Sequence, residues 1–229
     1  MSITKDIEKV YKVTKMKKPN DMTYSISLEN PKFRRKFIKR IERIVRNSME
    51  YKDYIQFLKQ NMDLDSCMFF QAVTSNKKAN KSKITVEMHH EPFTLYEIVA
   101  VVLSRYEKEG LPLNDLLIAD EVLELHYNNM VGLIPLSKTI HQMYHSENTD
   151  KVVIPLNMVY GEYSKFLEKY DQYIDTDLEY LYDKLDKKME MTRNLTPESF
   201  DNIMKQFEYL EVDGVEQAPK MEVETLKSA

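Results

Sequence analysis

Two stretches of the chain decide its predicted fold: VEMHHEP at residues 86–92 and NNMVGLIPLSKTIHQMYH at residues 128–145. In the first, Val86 and Met88 alternate with polar positions, which predicts a strand that ends in two adjacent histidines. In the second, MVGLIPL predicts another short strand, and Ser137 is well placed to cap the helix that follows it. The expected order is therefore strand, strand, helix, with histidines on the first strand and on the helix.

All five histidines of the chain lie within this window, and they are His89, His90, His126, His141 and His145. His141 and His145 are four positions apart, so their side chains share one face of the predicted helix. Two imidazoles from a helix and a third from a strand can hold one divalent cation and leave positions open for water and substrate. For His126 we expect a packed or surface position rather than a role as a fourth ligand.

This layout resembles that of the HNH nucleases, the ββα-metal family, over residues 83–146. The resemblance implies that His89, His141 and His145 bind a divalent cation (Mg²⁺, Mn²⁺, Ni²⁺ or Zn²⁺) and that His90 is the general base. An imidazole with its ordinary pKa near ~6.5 can take a proton from the attacking water at neutral pH. The implied reaction is the hydrolysis of DNA phosphodiester bonds.

The chain departs from the family's usual pattern in two ways. The family has an Asn about nine residues before the first helix histidine, where it ties the base-carrying loop, and Gly132 holds that position here. Asn129, three residues earlier, is the candidate for the same catalytic role. Residues 93–127 form a long insertion between the two motifs, predicted as two helices that could cover the site or contact a substrate. Either change would also suit a descendant that no longer cleaves.

The N-terminal part of the chain is the expected contact for DNA. From Pro31 to Arg46, apolar residues recur at helical spacing with basic residues largely on the other faces, which predicts an amphipathic basic helix. Residues 66–75 predict a buried strand, and the basic turn after it leads toward the first histidine motif. Basic side chains on the helix and the turn can contact phosphates, although a solvated face is the simpler explanation for any one of them. The candidates for DNA binding are Arg34, Arg35, Lys39, Arg46, Lys77, Lys78 and Lys81.

Composition limits the class of protein. No stretch approaches the ~20 apolar residues needed to span a bilayer, so we expect a cytoplasmic protein without a membrane partner. The single cysteine, Cys67, excludes an internal disulfide and a CxxC zinc site. Four glycines, no tryptophan and fifteen tyrosines are typical of an AT-rich genome such as that of many bacteriophages, in which case the cytoplasm is that of the host.

The predicted fold class is α+β, a mostly helical protein with a central ββα-metal motif. We expect an N-terminal helical region at residues 1–66, the HNH-like core at 67–160, C-terminal helices at 161–210 and a flexible acidic tail at 211–229. Residues 161–229 contain seventeen acidic and nine basic residues, which makes this acidic C-terminal region a candidate contact for a protein partner.

Three functions fit these observations. The leading one is a metal-dependent DNA endonuclease of the HNH type. The alternative is a non-catalytic module in which the same histidines hold a structural metal and the basic helix contacts nucleic acid or a protein. A third, a helical adaptor whose histidines bind nothing, requires the histidine spacing to be accidental.

Overall fold

A computed structural model of the chain describes residues 28–69, 85–145 and 153–194. These residues contain seven α-helices and one two-stranded sheet, so the predicted α+β, mostly helical class is confirmed. The helices are α1 (Pro31–Asn47), α2 (Met49–Asn61), α3 (Leu95–Lys108), α4 (Asp115–Tyr127), α5 (Lys138–Tyr144), α6 (Tyr163–Tyr170) and α7 (Tyr180–Arg193). The strands are β1 (Val86–His90) and β2 (Leu133–Ser137), and short 3₁₀ helices cover Leu156–Met158 and Asp171–Tyr173.

The predicted basic helix forms α1. Asn30 caps its start by accepting a hydrogen bond from the backbone N–H of Lys32, and Pro31 occupies the first turn, where its missing N–H costs nothing. Ser48 ends α1 and caps α2 through its own side chain. The apolar face of α1 packs against α3 and α4, and its buried residues are Phe37, Ile38, Ile41 and Val45.

The insertion at residues 93–127 forms α3 and α4, as predicted, and it supplies the centre of the hydrophobic core. Thr94 and Glu97 cap α3 reciprocally, each side chain bonding the backbone of the other residue. Most residues from Leu95 to Tyr106 are buried, and α3 packs against α1, α4 and α6. The insertion therefore supplies the buried helix on which these three helices pack.

β1 and β2 pair in an antiparallel register that places His89 opposite Ile134 and His90 opposite Leu133. Of the predicted strand at residues 66–75, the structure describes only residues 66–69. This piece contacts β2, where the backbone N–H of Met68 donates to Pro135 O over 2.9 Å. The hairpin predicted between that segment and β1 falls mostly on residues 70–84, outside the described residues.

Helix α5 follows β2 directly, because Ser137 is both the last residue of β2 and the cap of α5. The hydroxyl oxygen of Ser137 accepts a hydrogen bond from the backbone N–H of Ile140 over 3.3 Å, as the sequence predicted. Ile140 is fully buried and fastens the short helix to the sheet. This connection brings the histidines of α5 next to the end of β1.

A close backbone contact joins the end of β1 to the start of β2. The backbone N–H of Glu91 donates to Gly132 O over 3.0 Å. A Cβ atom on residue 132 would lie 1.8 Å from the carbonyl oxygen of Glu91, far inside van der Waals contact. Only glycine allows the two segments to approach so closely.

We predict that Gly132→Ala lowers the free energy of unfolding by roughly 2–4 kcal/mol, because the added methyl group forces these two segments apart. Gly110→Ala is the matched control: Gly110 has a positive φ of 64° but open space around it, so the change should cost only about 1 kcal/mol. Urea denaturation of both variants measures the difference. If the parent and Gly132→Ala unfold at the same urea concentration, the close contact between residue 132 and Glu91 is wrong.

Candidate metal centre

Three of the five histidines converge beside the end of β1. His89 from β1, His141 from α5 and His145 just after α5 each place one ring nitrogen within 4.8 Å of the other two. The ring centroids are 4.8 to 5.1 Å apart, so the three rings form a nearly equilateral triangle. His89 is buried, His141 is half-buried and His145 is exposed, which gives the cluster one inner side and one side open to solvent.

Carboxylates hold two of these imidazoles in place. Nδ1 of His141 lies 2.7 Å from Oε2 of Glu87, and Nε2 of His89 lies 3.3 Å from Oε2 of Glu91. In each pair the ring N–H donates to the carboxylate, which leaves the other ring nitrogen with a free lone pair. Nε2 of His141 also lies 3.1 Å from Nε2 of His145, so two potential ligand atoms already face each other.

The protonation state of the cluster suits a cation. Burial lowers the pKa of His89, and the nearby His141 and Lys188 lower it further against the opposing effect of Glu91. Burial also lowers the pKa of His145, as do its two histidine neighbours. Histidines bind metal ions only when unprotonated, so at neutral pH both rings are in the form that can act as a ligand.

A buried carboxylate connects this cluster to the C-terminal helix. Glu91 is 1% exposed; its Oε2 accepts a hydrogen bond from the Tyr144 hydroxyl over 2.9 Å, and its Oε1 forms an ion pair with Nζ of Lys188 on α7. Lys188 also donates to the Tyr144 hydroxyl over 2.7 Å. Burial alone raises the pKa of Glu91, but the hydrogen bond with His89 and the charge of Lys188 outweigh it, so the net shift is downward and the carboxylate stays ionised.

His90 lies on the opposite side of β1 from His89, because successive side chains of a strand alternate. Its ring is 3% exposed, and its Nε2 lies 2.9 Å from Nε2 of His126. Nδ1 of His126 in turn lies 2.7 Å from Val122 O and must donate to it. The Nε2 of His126 is then the acceptor, so His90 donates from Nε2 and keeps a lone pair on Nδ1, which has no hydrogen-bond partner among the described residues.

Both members of this buried pair are neutral. Burial lowers the pKa of His126 to about 4 and that of His90 well below its ordinary value. His126 is fully buried, in agreement with the packed position that we expected for it as one of two possibilities. Its contact with His90 joins residues 36 positions apart on different elements, and no spacing in the sequence signals it. The role of His90 as a general base remains a prediction.

Asn129 follows the end of α4 in a left-handed conformation, with φ at 57°. Its carbonyl oxygen accepts a hydrogen bond from the backbone N–H of Glu162 over 2.7 Å, and its Oδ1 is buried without a hydrogen bond to any described residue. The backbone carbonyl of Gly132 accepts a hydrogen bond from the N–H of Glu91, next to His90, and the tie that we predicted for Asn129 stays a prediction. Asn129 therefore helps to end α4, and a catalytic role for it remains a prediction.

A comparison with known families adds the origin of the chain. A family model described as "Bacteriophage G278-like virion protein" matches residues 1–216. The chain belongs to this family. The phage origin suggested by the composition is thereby confirmed, and no curated protein and no solved structure matches the chain.

The basic residues that we predicted to bind DNA differ in their surroundings. The Arg34 guanidinium donates to both carboxylate oxygens of Glu107 over 2.7 Å, so it anchors α1 to α3. Arg35, Lys39 and Arg46 are exposed on α1. The remaining DNA-binding candidates Lys77, Lys78 and Lys81 lie outside the described residues, as does the C-terminal region from residue 195 onward. Where the structure describes the chain, no helix is long and apolar enough to cross a membrane.

We predict that Lys188→Met weakens metal binding by about 10- to 100-fold, because Glu91 then loses its ion pair and no longer holds His89 firmly. Lys184→Met is the matched control, since Lys184 anchors the same helix through two hydrogen bonds to Glu97, away from the cluster. Calorimetric titration with Zn²⁺ or Ni²⁺ measures the affinity of each variant.

Both lysine variants should lose some thermal stability, but only Lys188→Met should lose metal affinity. Tyr144→Phe is a milder test, since it removes one hydrogen bond to Glu91 and leaves the ion pair intact. If Lys188→Met and Lys184→Met bind the metal equally well, the proposed support for His89 is wrong.

Proposed function

We propose that the chain is a metal-dependent phosphodiester hydrolase that cuts DNA, with its cation held by His89, His141 and His145. The observation that carries the proposal is the open coordination of the cluster. Among the described residues, no fourth His, Cys, Asp or Glu joins the three imidazoles, and one side of the cluster faces solvent. Structural zinc sites usually have four protein ligands, whereas catalytic sites have three and keep an open position.

The ligand set also indicates which cations would fit. Neutral imidazoles favour later transition metals such as Ni²⁺ and Zn²⁺ by affinity, while Mg²⁺ and Mn²⁺ bind imidazole more weakly. Glu87 and Glu91 hydrogen-bond one ring nitrogen each of His141 and His89, and such partners fix the tautomer and orientation of metal-binding imidazoles. A divalent cation bound there would act as a Lewis acid on a phosphodiester and offset the negative charge of the transition state.

We further propose His90 as the group that takes the proton of the attacking water. Its hydrogen bond to His126 fixes the tautomer, so the lone pair of Nδ1 is available as an acceptor. Because the ring is 3% exposed, this role requires that substrate binding opens a path to Nδ1. The burial of His90, its lowered pKa and its place on the side of β1 opposite His89 are thus the most demanding conditions of the catalytic proposal.

A second candidate function is a structural module of the phage particle. Two observations favour it: the family is described as a virion protein, and His90 packs against His126 in the interior. In this case the cation fastens α5 to the sheet and takes part in no reaction. The basic face of α1 would then contact another component of the particle.

We predict that the parent protein nicks supercoiled plasmid with at least one of Mg²⁺, Mn²⁺, Ni²⁺ and Zn²⁺, and that His90→Ala reduces the rate by about 10² to 10⁴ at matched metal occupancy. Tyr54→Leu is the control, because the Tyr54 ring packs edge-on against His126 with the centroids 5.7 Å apart, so the change disturbs the same buried region but keeps both imidazoles. Thermal melting of both variants, recorded alongside the nicking rates, separates loss of folding from loss of chemistry.

The outcomes divide the two functions. A selective loss of nicking in His90→Ala supports the general base, whereas equal losses in both variants assign His90 to packing. If the parent nicks DNA with none of the four ions while it binds them tightly, the hydrolase proposal fails and the structural module takes its place.

A further inference from the structure

Helix α1 carries two groups of basic residues that differ in their surroundings. From Pro31 to Asn47 it contains eight basic residues and one acidic residue, Glu42. Arg34 and Arg40 have acidic partners, Glu107 and Asp115 respectively. The other six are exposed and form no ion pair with any described residue; these six, Lys32, Arg35, Lys36, Lys39, Arg43 and Arg46, are called here the outer face of α1.

The outer face is a continuous row. At 100° per residue, its six side chains fall within an arc of about 100° on the side of the helix opposite the buried Ile41. Lys32 and Arg46 are fourteen residues apart, which corresponds to about 21 Å along the helix axis. Six like charges therefore follow one another along a straight line of this length, a shape that fits the regularly spaced phosphates of a nucleic acid backbone.

The charge of this face is local. The whole chain has a formal net charge of −4, so the excess of positive charge on α1 does not reflect a generally basic protein. Glu42, the single acidic residue of the helix, is half-buried, and burial raises its pKa despite Arg46 and Lys39. One carboxylate near Arg46 and Lys39 is too little to balance six cations, and a polyanion would relieve the repulsion among them.

One end of the outer face lies near the end of β1. Ser48 links α1 to α2, and the ring of Tyr51 on α2 stacks on that of His90 with the centroids 6.3 Å apart. The row of charges therefore ends near the strand that carries His89 and His90.

We propose that the outer face of α1 binds the phosphate backbone of DNA. The inference deepens the proposed hydrolase by naming the surface that holds its substrate. Binding along α1 itself requires no cation. Arg34, which the sequence suggested as a DNA contact, is excluded from this surface by its bonds to Glu107.

The test is fluorescence anisotropy with a labelled DNA duplex of about 20 base pairs, in EDTA and over a range of NaCl concentrations. The triple variant Arg35→Gln, Lys39→Gln, Arg43→Gln should bind at least about tenfold more weakly than the parent at moderate salt, with a salt slope lower by about 2.7. The control triple variant removes three exposed charges from α3 and α6: Lys108→Gln, Lys165→Gln, Lys169→Gln. It should bind like the parent.

The proposal is overturned if the parent does not bind the duplex at low salt, or if the two triple variants lose affinity equally. It is also overturned if the α1 variant loses binding to phosphatidylglycerol vesicles but not to DNA, which would assign the face to a lipid surface. Because the assay contains EDTA, its result is independent of the hydrolase. If the parent binds DNA through α1 but does not nick it, only the catalytic proposal fails. If the parent nicks DNA and the α1 variant binds DNA as well as the parent does, only the DNA-binding role of α1 fails.

Discussion

Glu91 carries a negative charge in the interior of the protein, and several separate elements supply the groups that compensate it. A buried carboxylate costs several kcal/mol unless it is well paired and hydrogen-bonded. Here the pairing comes from His89 at the end of β1, Tyr144 of α5 and Lys188 of α7, while the backbone N–H of Glu91 bonds Gly132 just before β2. The carboxylate of Glu91 therefore links the strand, the short helix and the C-terminal helix, and the histidine cluster lies beside it.

The end of β1 gives two adjacent histidines opposite environments. His89 enters the cluster with α5, and His90 enters the core with His126, since neighbouring side chains of a strand point to opposite faces. Both rings are buried, but the same backbone places His89 beside His141 and His145 and His90 in the core. This division is the physical reason why only His89 can join the proposed metal site, whereas the catalytic use proposed for His90 depends on a path that substrate must open.

Local patterns predicted the parts of the fold that depend on near neighbours in the chain. The apolar spacing of α1 and α3 and the Ser137 cap of α5 are local properties, and the i, i+4 spacing of His141 and His145 is enough to place both rings together. The pairing of Lys188 with Glu91 joins residues almost one hundred positions apart, and it depends on where α7 docks. The close approach at Gly132 likewise exists only once β1 and β2 are paired, so no local pattern could predict it.

The central proposal is that the imidazoles of His89, His141 and His145 together hold a divalent cation. X-ray absorption spectroscopy of the protein loaded with one equivalent of Zn²⁺ tests it most directly, because imidazole rings give a characteristic scattering pattern. The account predicts three nitrogen neighbours with that imidazole pattern at about 2.0–2.1 Å, and a first shell completed by water. A spectrum with sulfur in the first shell, with four protein ligands, or without imidazole scattering would contradict it.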